Sequence, residues 1–221
     1  MNGTGKQPDS FDNHDDILLG VLTVIDRDSN TSQRSISREL GVALGLANAY
    51  LKRSVRKGLI KIKQVPRRRY AYYLTPQGFA EKSRLAGQYF AASFNFFRRA
   101  REQMSELMAE SAGLGRPRIV LVGLSELAEV GTLCAHDHPV ELVAIIDAKH
   151  AGGRFCGLAV KSSLAECGSF DVAIITDLTA PEIAYQQIRA DLPPDRILAP
   201  RLLRLTIPKL AGRGLRAQAA E

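Results

Sequence analysis

Within ALGLANAYLKRSVRK, residues 43–57, one carboxamide and three cations recur at helical intervals: Asn48, Lys52, Arg53 and Arg56. If Ala47, Leu51 and Val55 face a core, then Gly45, Asn48, Ala49, Lys52 and Arg56 share the opposite side. A carboxamide donates and accepts at once, which suits an adenine edge, while lysine and arginine reach guanine or phosphate. The chemistry on offer is nucleic-acid recognition. Arg34 and Ser35, just upstream, would touch the sugar-phosphate backbone. Arg67, Arg68 and Arg69 follow Pro66, where three guanidinium groups can reach phosphates or a narrow minor groove.

Charge placement supports this. Between Ser32 and Arg101 there are sixteen basic residues and two acidic ones, Glu39 and Glu81, in a chain whose formal charge is +7. The excess of fourteen leaves the remainder of the chain net acidic by seven. The positive field therefore belongs to one region, as expected for a polyanionic partner such as double-stranded DNA. With 45% hydrophobic and 24% charged residues the chain is ordinary globular material, and 221 residues allow two modest domains.

A second cluster could hold a small molecule. RIVLVGLSELAEVGTLC places Gly123 at the end of an apolar run with a helix opening at Ser125 or Glu126. Such a turn offers backbone N–H groups and a helix N-terminus to an anion, commonly a pyrophosphate. The glycine pattern is incomplete: Gly123, Ser125 and Ala128 stand where a dinucleotide turn has three glycines, and Glu126 repels a phosphate. Asp147 ends the next apolar run, near where a dinucleotide fold keeps a carboxylate for ribose hydroxyls; a plain strand-end cap is the alternative. A catalytic set is not evident. Tyr185 is the one tyrosine after residue 100 and has no lysine nearby, so a dehydratase or epimerase dyad is missing and an enzyme is not expected. His136, Asp137 and His138 read as a polar surface loop. Cys134, Cys156 and Cys167 lack ligand or disulfide spacing, so no metal site is expected and a reduced cytoplasm fits.

The elements that must position these residues follow from periodicity. Helical spacing runs over Asp16–Asp26, Ser32–Leu40 after the cap-type Asn30 and Thr31, and Ala43–Lys57 before Gly58, which makes helix, tight turn, helix. Ile60 and Ile62 alternate with lysines and Tyr70–Leu74 is aromatic-rich, so a hairpin follows. A long helix from Phe79 to about Ala112, broken near Gly87–Ser93, carries Phe90, Phe94, Phe97, Met104, Leu107 and Met108. Strands at 118–122, 141–147, 171–176 and 196–198 alternate with helices at 126–135 and 180–190, which implies an α/β domain with a parallel sheet. No apolar run approaches a membrane span.

The stretch SISRELGVALGLANAYLKRSVRKGLIKIK with RYAYYLTPQGFAEK resembles winged helix-turn-helix regulators of the MarR type, in particular the subgroup associated with exopolysaccharide synthesis, over roughly residues 15–100. It implies a homodimer on a palindromic operator, although such regulators usually end soon after the connecting helix. GGRFCGLAV and SFDVAIITDLTAPE are similar to the Rossmann-like domains of nucleotide-sugar-modifying enzymes and of redox-sensing repressors of the Rex type. That likeness implies a nucleotide, NAD(H) or nucleotide-sugar effector near Gly123, Leu124, Ser125, Glu126, Asp147, Thr176, Asp177 and Thr179, with no cofactor required. The expected organisation is a tail (1–14), a winged helix of α+β type (15–78), a connecting and dimerising helix (79–115), a Rossmann-like α/β domain (116–207) and a basic tail (208–221). The expected function is a cytoplasmic, effector-responsive DNA-binding transcriptional regulator without a membrane partner. The alternatives are a nucleotide-sugar or NAD-dependent enzyme with an accessory basic domain, and a non-catalytic assembly scaffold.

Overall fold

Asp15 and Asp16 lie in the first turn of α1 (Asn13–Arg27) and Arg27 in its last, each where the helix dipole favours its charge. The computed structural model to which α1 belongs describes residues 13–65, 69–113, 115 and 117–205, in two compact units that divide between Phe96 and Phe97. Asn13 and His14, expected in the polar N-terminal tail, are helical. His14 Nδ1 lies 2.5 Å from Tyr50 Oη and ties this turn to the third helix.

In α2 (Gln33–Glu39) the cap is Ser32, whose Oγ accepts from Ser35 N at 3.1 Å, and not Asn30 or Thr31. Asn30 N donates instead to Asp28 Oδ1. Gly41, at φ +63°, turns the chain into α3 (Leu44–Arg56), and Ser37 Oγ fastens that turn by donating to Val42 O at 2.6 Å. The antiparallel hairpin β1 (Ile60–Val65) and β2 (Arg69–Leu74) sets Ile62 opposite Tyr72 and Lys61 opposite Tyr73. Leu22, Ile25, Ile36, Ile60 and Leu85 are fully buried among the residues of this core. Each such side chain contributes about 1.5–3 kcal/mol through burial.

The long helix α4 spans Pro76–Ala112 without interruption. Thr75 caps it: its Oγ1 accepts from Gly78 N at 3.0 Å and donates to Gly58 O at 2.6 Å. Proline in the first turn loses no hydrogen bond there. The expected break near Gly87–Ser93 does not form, because a lone glycine weakens a helix by only about 1 kcal/mol and the segment holds no proline. The expected connecting segment 79–115 is shared, its residues up to Phe96 belonging to the first unit and those from Phe97 to the second.

In the second unit β3 (Arg118–Val122), β4 (Glu141–Ile146), β5 (Arg154–Phe155), β6 (Leu158–Lys161), β7 (Val172–Ile175) and β8 (Ile197–Leu198) form one sheet in the order β5-β6-β4-β3-β7-β8. All neighbours are parallel except β5 with β6. Residues 119–122 and 172–175 are buried throughout, as parallel strands covered on both faces require. Around the sheet run α5 (Glu126–Ala135) and α6 (Pro181–Ile188). Ala100, Met104 and Met108, at i, i+4, i+8 on α4, are fully buried, and a Cβ on Gly131 of α5 would stand 2.8 Å from Met104 Cε. At the amino ends of the strands Arg118 Nη1 donates to Ser169 O at 2.6 Å and Arg196 donates to the Phe170 and Asp171 carbonyls, so both cations serve the fold. The architecture is an N-terminal winged helix followed by an α/β domain with a mostly parallel sheet.

Two glycines of α4 respond oppositely to the same change. A Cβ at Gly78 would lie 2.1 Å from Leu59 O, whereas nothing stands within 4 Å of one at Gly87. Gly78→Ala should destabilise by about 2 kcal/mol, lowering the melting temperature by roughly 10 °C. Gly87→Ala should raise it, with a gain of about 0.5–1 kcal/mol. Equal thermal melts for the two variants would contradict the packing at Leu59.

Candidate nucleic-acid interface

The amphipathic phase of α3 decides which of its side chains face outward. Ala47, Tyr50, Leu51 and Ser54 are buried, while Gly45, Ala49, Lys52 and Arg56 form an exposed stripe at i, i+4, i+7, i+11, flanked by exposed Leu46 and Arg53. Asn48 departs from the expected arrangement. It is half-buried on the flank of the stripe, and its Oδ1 is buried without a hydrogen-bond partner among the described residues. A carbonyl so placed does not accept from an adenine amino group unless the side chain first rotates outward.

Arg34 and Ser35 are exposed on the first turn of α2, although the Ser35 N–H is already used by Ser32. Arg67 and Arg68 lie outside the described residues, and Arg69 opens β2. Sequence reasoning left Lys61 and Lys63 out of the site. Both are exposed on β1, and their alternation with Ile60 and Ile62 was the signal that could have placed them there. An open groove of about 530 Å³ between α3 and the hairpin has Leu51, Val55, Ile62 and Tyr72 in its wall together with Gln33, Lys52 and Arg56.

The second cluster assembles at the carboxyl ends of β3, β4 and β7, on either side of the strand where the sheet order reverses. Gly123, at φ +103°, is buried against Asp177, whose Cβ and N would stand 2.5 Å from an added Cβ. Thr176 is fully buried and donates from Oγ1 to Gly123 O at 2.6 Å, so its hydroxyl serves the sheet and is closed to a ligand. Ser125 caps α5, accepting from Leu127 N and donating to Thr176 O. Asp177 Oδ1 accepts from Thr179 N and Ala180 N, which caps the turn into α6. Glu126 and Thr179 are exposed, and Leu124 is half-buried.

Asp147 joins the loops. Its Oδ2 accepts from Leu124 N at 3.3 Å, and its Oδ1 accepts from Lys149 N and His150 N and lies 3.0 Å from His150 Nδ1. Partial burial pushes its pKa up, but the hydrogen bonds from the His150 ring and the Leu124, His150 and Lys149 amides outweigh burial and hold the carboxyl below its ordinary value. The residues present fit a pyrophosphate poorly at this turn. The Leu124 amide is turned to Asp147, and α5 already carries Glu126 and Glu129 in its first turn. Hydroxyl donors, as on a ribose, suit Asp147 better.

His136, Asp137 and His138 are engaged separately. His136 Nδ1 lies 2.9 Å from Thr132 O, Arg101 donates to Asp137, and His138 Nε2 lies 2.6 Å from Ser105 Oγ. Burial pushes the Cys134 and Cys167 thiols up, while Cys156 is exposed. No helix among the described residues is long and apolar enough to cross a membrane.

Because Asp147 titrates lower in the fold than in the unfolded chain, its contribution is complete above the ordinary carboxylate range and is lost as pH falls through the folded value. An asparagine cannot satisfy all of these amides. Asp147→Asn should therefore cost about 2 kcal/mol at neutral pH, with the difference in melting temperature closing below about pH 4. A pH-independent difference between the two thermal melts would contradict the charge-assisted network.

No curated protein matches the chain. Among solved structures it is similar to the PcaV transcriptional regulator of Streptomyces coelicolor, with 21% identity, 37% of this chain and 62% of that one covered, and a TM-score of 0.35. The chain thus spans less than two thirds of that protein's length. A MarR family protein of Mycobacterium tuberculosis in complex with p-aminosalicylic acid is 19% identical, with 44% and 77% covered and a TM-score of 0.35. Human N-acetylserotonin methyltransferase is 11% identical, with 90% and 81% covered and the same TM-score, 0.35. Residues 14–61, from α1 to the start of the hairpin, match the winged helix-turn-helix DNA-binding family model.

Proposed function

We propose that this chain is a homodimeric transcriptional regulator whose winged helix binds operator DNA and whose α/β unit takes an effector. The observation that carries this reading is the outward stripe of α3, where Lys52 and Arg56 stand exposed beside Arg53 in the family-matched unit. Lys61 and Lys63 on the hairpin extend the cationic surface, and the two carboxylates between Ser32 and Arg101, Glu39 and Glu81, are engaged by Arg27 and Arg84. A helix of this kind enters the major groove while the neighbouring cations fix its register on phosphates. In this reading the chain acts where DNA is, in the cytoplasm of a bacterial-type cell, and its targets are polysaccharide genes, a proposal that the resemblance of residues 35–63 supports.

The second copy is supported by α4, where Phe90 and Phe94 are 60% and 71% exposed and no charged residue falls between Leu85 and Phe97. Large uncovered aromatic faces of this kind mark protein contacts. The effector, of the nucleotide, NAD(H) or nucleotide-sugar class, sits in this reading at the carboxyl ends of β3, β4 and β7 with its ribose or sugar hydroxyls donating to Asp147 and its phosphates lying outside the Gly123–Glu126 turn. Its influence on DNA affinity equals its differential affinity for the DNA-competent and incompetent states. The chain has no role as an enzyme in this proposal.

One titration tests the reading. Full-length protein is added to fluorescent duplex DNA at several salt concentrations, with and without NAD(H) or a nucleotide-sugar. Lys52→Ala with Arg56→Ala should weaken binding to every duplex and reduce the slope of log affinity against log salt by about two, while Lys149→Ala leaves both unchanged. Saturation at two chains per duplex and a ligand-dependent shift in affinity are expected. Unaltered affinity and slope in the double variant would overturn the proposed docking of α3.

A further inference from the structure

Gly45 is an exposed helical residue, and nothing lies within 4 Å of the position its Cβ would take. Glycine inside a helix weakens it relative to alanine. Its backbone is not among those with positive φ, so the first unit has no requirement for glycine at this point. Something that approaches α3 closely from outside does explain it. Ala49, one turn further on the same stripe, is exposed, and Leu46 beside it keeps 42% of its surface uncovered.

The exposed cations of α3 begin only at Lys52. Between Leu44 and Ala49 the single side chain with a hydrogen-bonding group is Asn48, and its carbonyl is turned inward. This amino-terminal half is the part of a recognition helix that meets base edges. In the major groove the base feature that an aliphatic side chain recognises is the C5 methyl of thymine. Building on the DNA-binding reading, we propose that the operator is selected through thymine methyl groups packed against Leu46 and Ala49, with Gly45 letting the helix sit close to the base edges.

The test uses the full chain to enrich duplexes from a random pool. The selected duplex is then made with deoxyuridine in place of thymidine, one position at a time, which removes a methyl group and nothing else. Affinity should fall about fourfold at each contacted thymine, the loss expected for one buried methyl, with an unchanged salt slope because no phosphate contact is altered. Ala49→Gly should no longer distinguish the two duplexes at its contacted position, with Ala49→Ser as a second variant if its thermal melt shows loss of the fold. Gly45→Ala should raise the melting temperature and yet weaken binding of the selected duplex about tenfold, a split that a merely structural glycine does not produce.

Unchanged affinity at every uracil position overturns the proposal. So does loss of binding on replacing adenine by 7-deazaadenine together with loss in Asn48→Ala, which would assign the reading to an asparagine–adenine pair. Failure to enrich any duplex overturns the DNA-binding reading itself, and is distinct from equal binding of thymine and uracil duplexes.

Discussion

The approach of Gly78 to the Leu59 carbonyl is the constraint on which the first unit turns. Leu59 follows the end of α3 and precedes β1, while Gly78 stands one turn into α4 just after β2, so this contact closes the base of the hairpin. Thr75 reinforces it from both sides, with its backbone N–H donating to Leu59 O at 3.0 Å and its hydroxyl donating to Gly58 O. A side chain larger than hydrogen at residue 78 would push the hairpin away from α3. The lysines of β1 and the outward stripe of α3 then share one frame because two loops, distant in sequence, are pinned at a single carbonyl.

The second unit repeats the device with a different outcome. Gly123 and Asp177 let the ends of β3 and β7 close on one another, and Thr176, Ser125 and Asp147 satisfy the carbonyls and amides that such a junction exposes. Buried polar groups must be paired, and here they are paired by the chain itself. In the proposed effector site, a ligand at this end of the sheet competes with those bonds wherever it needs an amide, and meets the remaining lone pairs of Asp147 where it can donate. That asymmetry separates ligand classes that share a fold, since a pyrophosphate demands donors and a sugar supplies them.

Legibility followed the strength of each local signal. The long alternation of apolar runs and helices placed β3, α5, β4 and β7 within a residue or so, because strands buried on both faces are written as continuous apolar stretches. The β5–β6 hairpin was not visible. Its strands have two and four residues, and the turn between them uses Cys156 and Gly157 at φ 47° and 83°, where cysteine is an unusual occupant. The phase of α3 was right for Lys52 and Arg56 and misleading for Asn48, since a residue on the flank of an amphipathic helix is settled by packing that periodicity does not contain. Asp147 was legible as a carboxylate at a strand end; that three amides and an imidazole gather on it, leaving Oδ2 with a single donor, depends on how the following turn folds back.

In the DNA-binding reading proposed above, affinity and selectivity occupy different halves of one helix. Cations attract every duplex alike, and their contribution fades with salt, so in the proposed docking the carboxyl-terminal half of α3, with Lys52, Arg53 and Arg56, supplies binding without choice. The amino-terminal half presents Gly45, Leu46 and Ala49 and no exposed charge. A surface poor in donors and acceptors cannot gain by hydrogen bonding to the wrong base, but it loses whenever a groove edge leaves polar groups desolvated and unpaired against it. Under the proposed reading, discrimination then rests on the methyl contact itself: A·T and G·C edges both carry polar groups that an aliphatic patch leaves without a partner, and only thymine adds a methyl group that such a patch can cover.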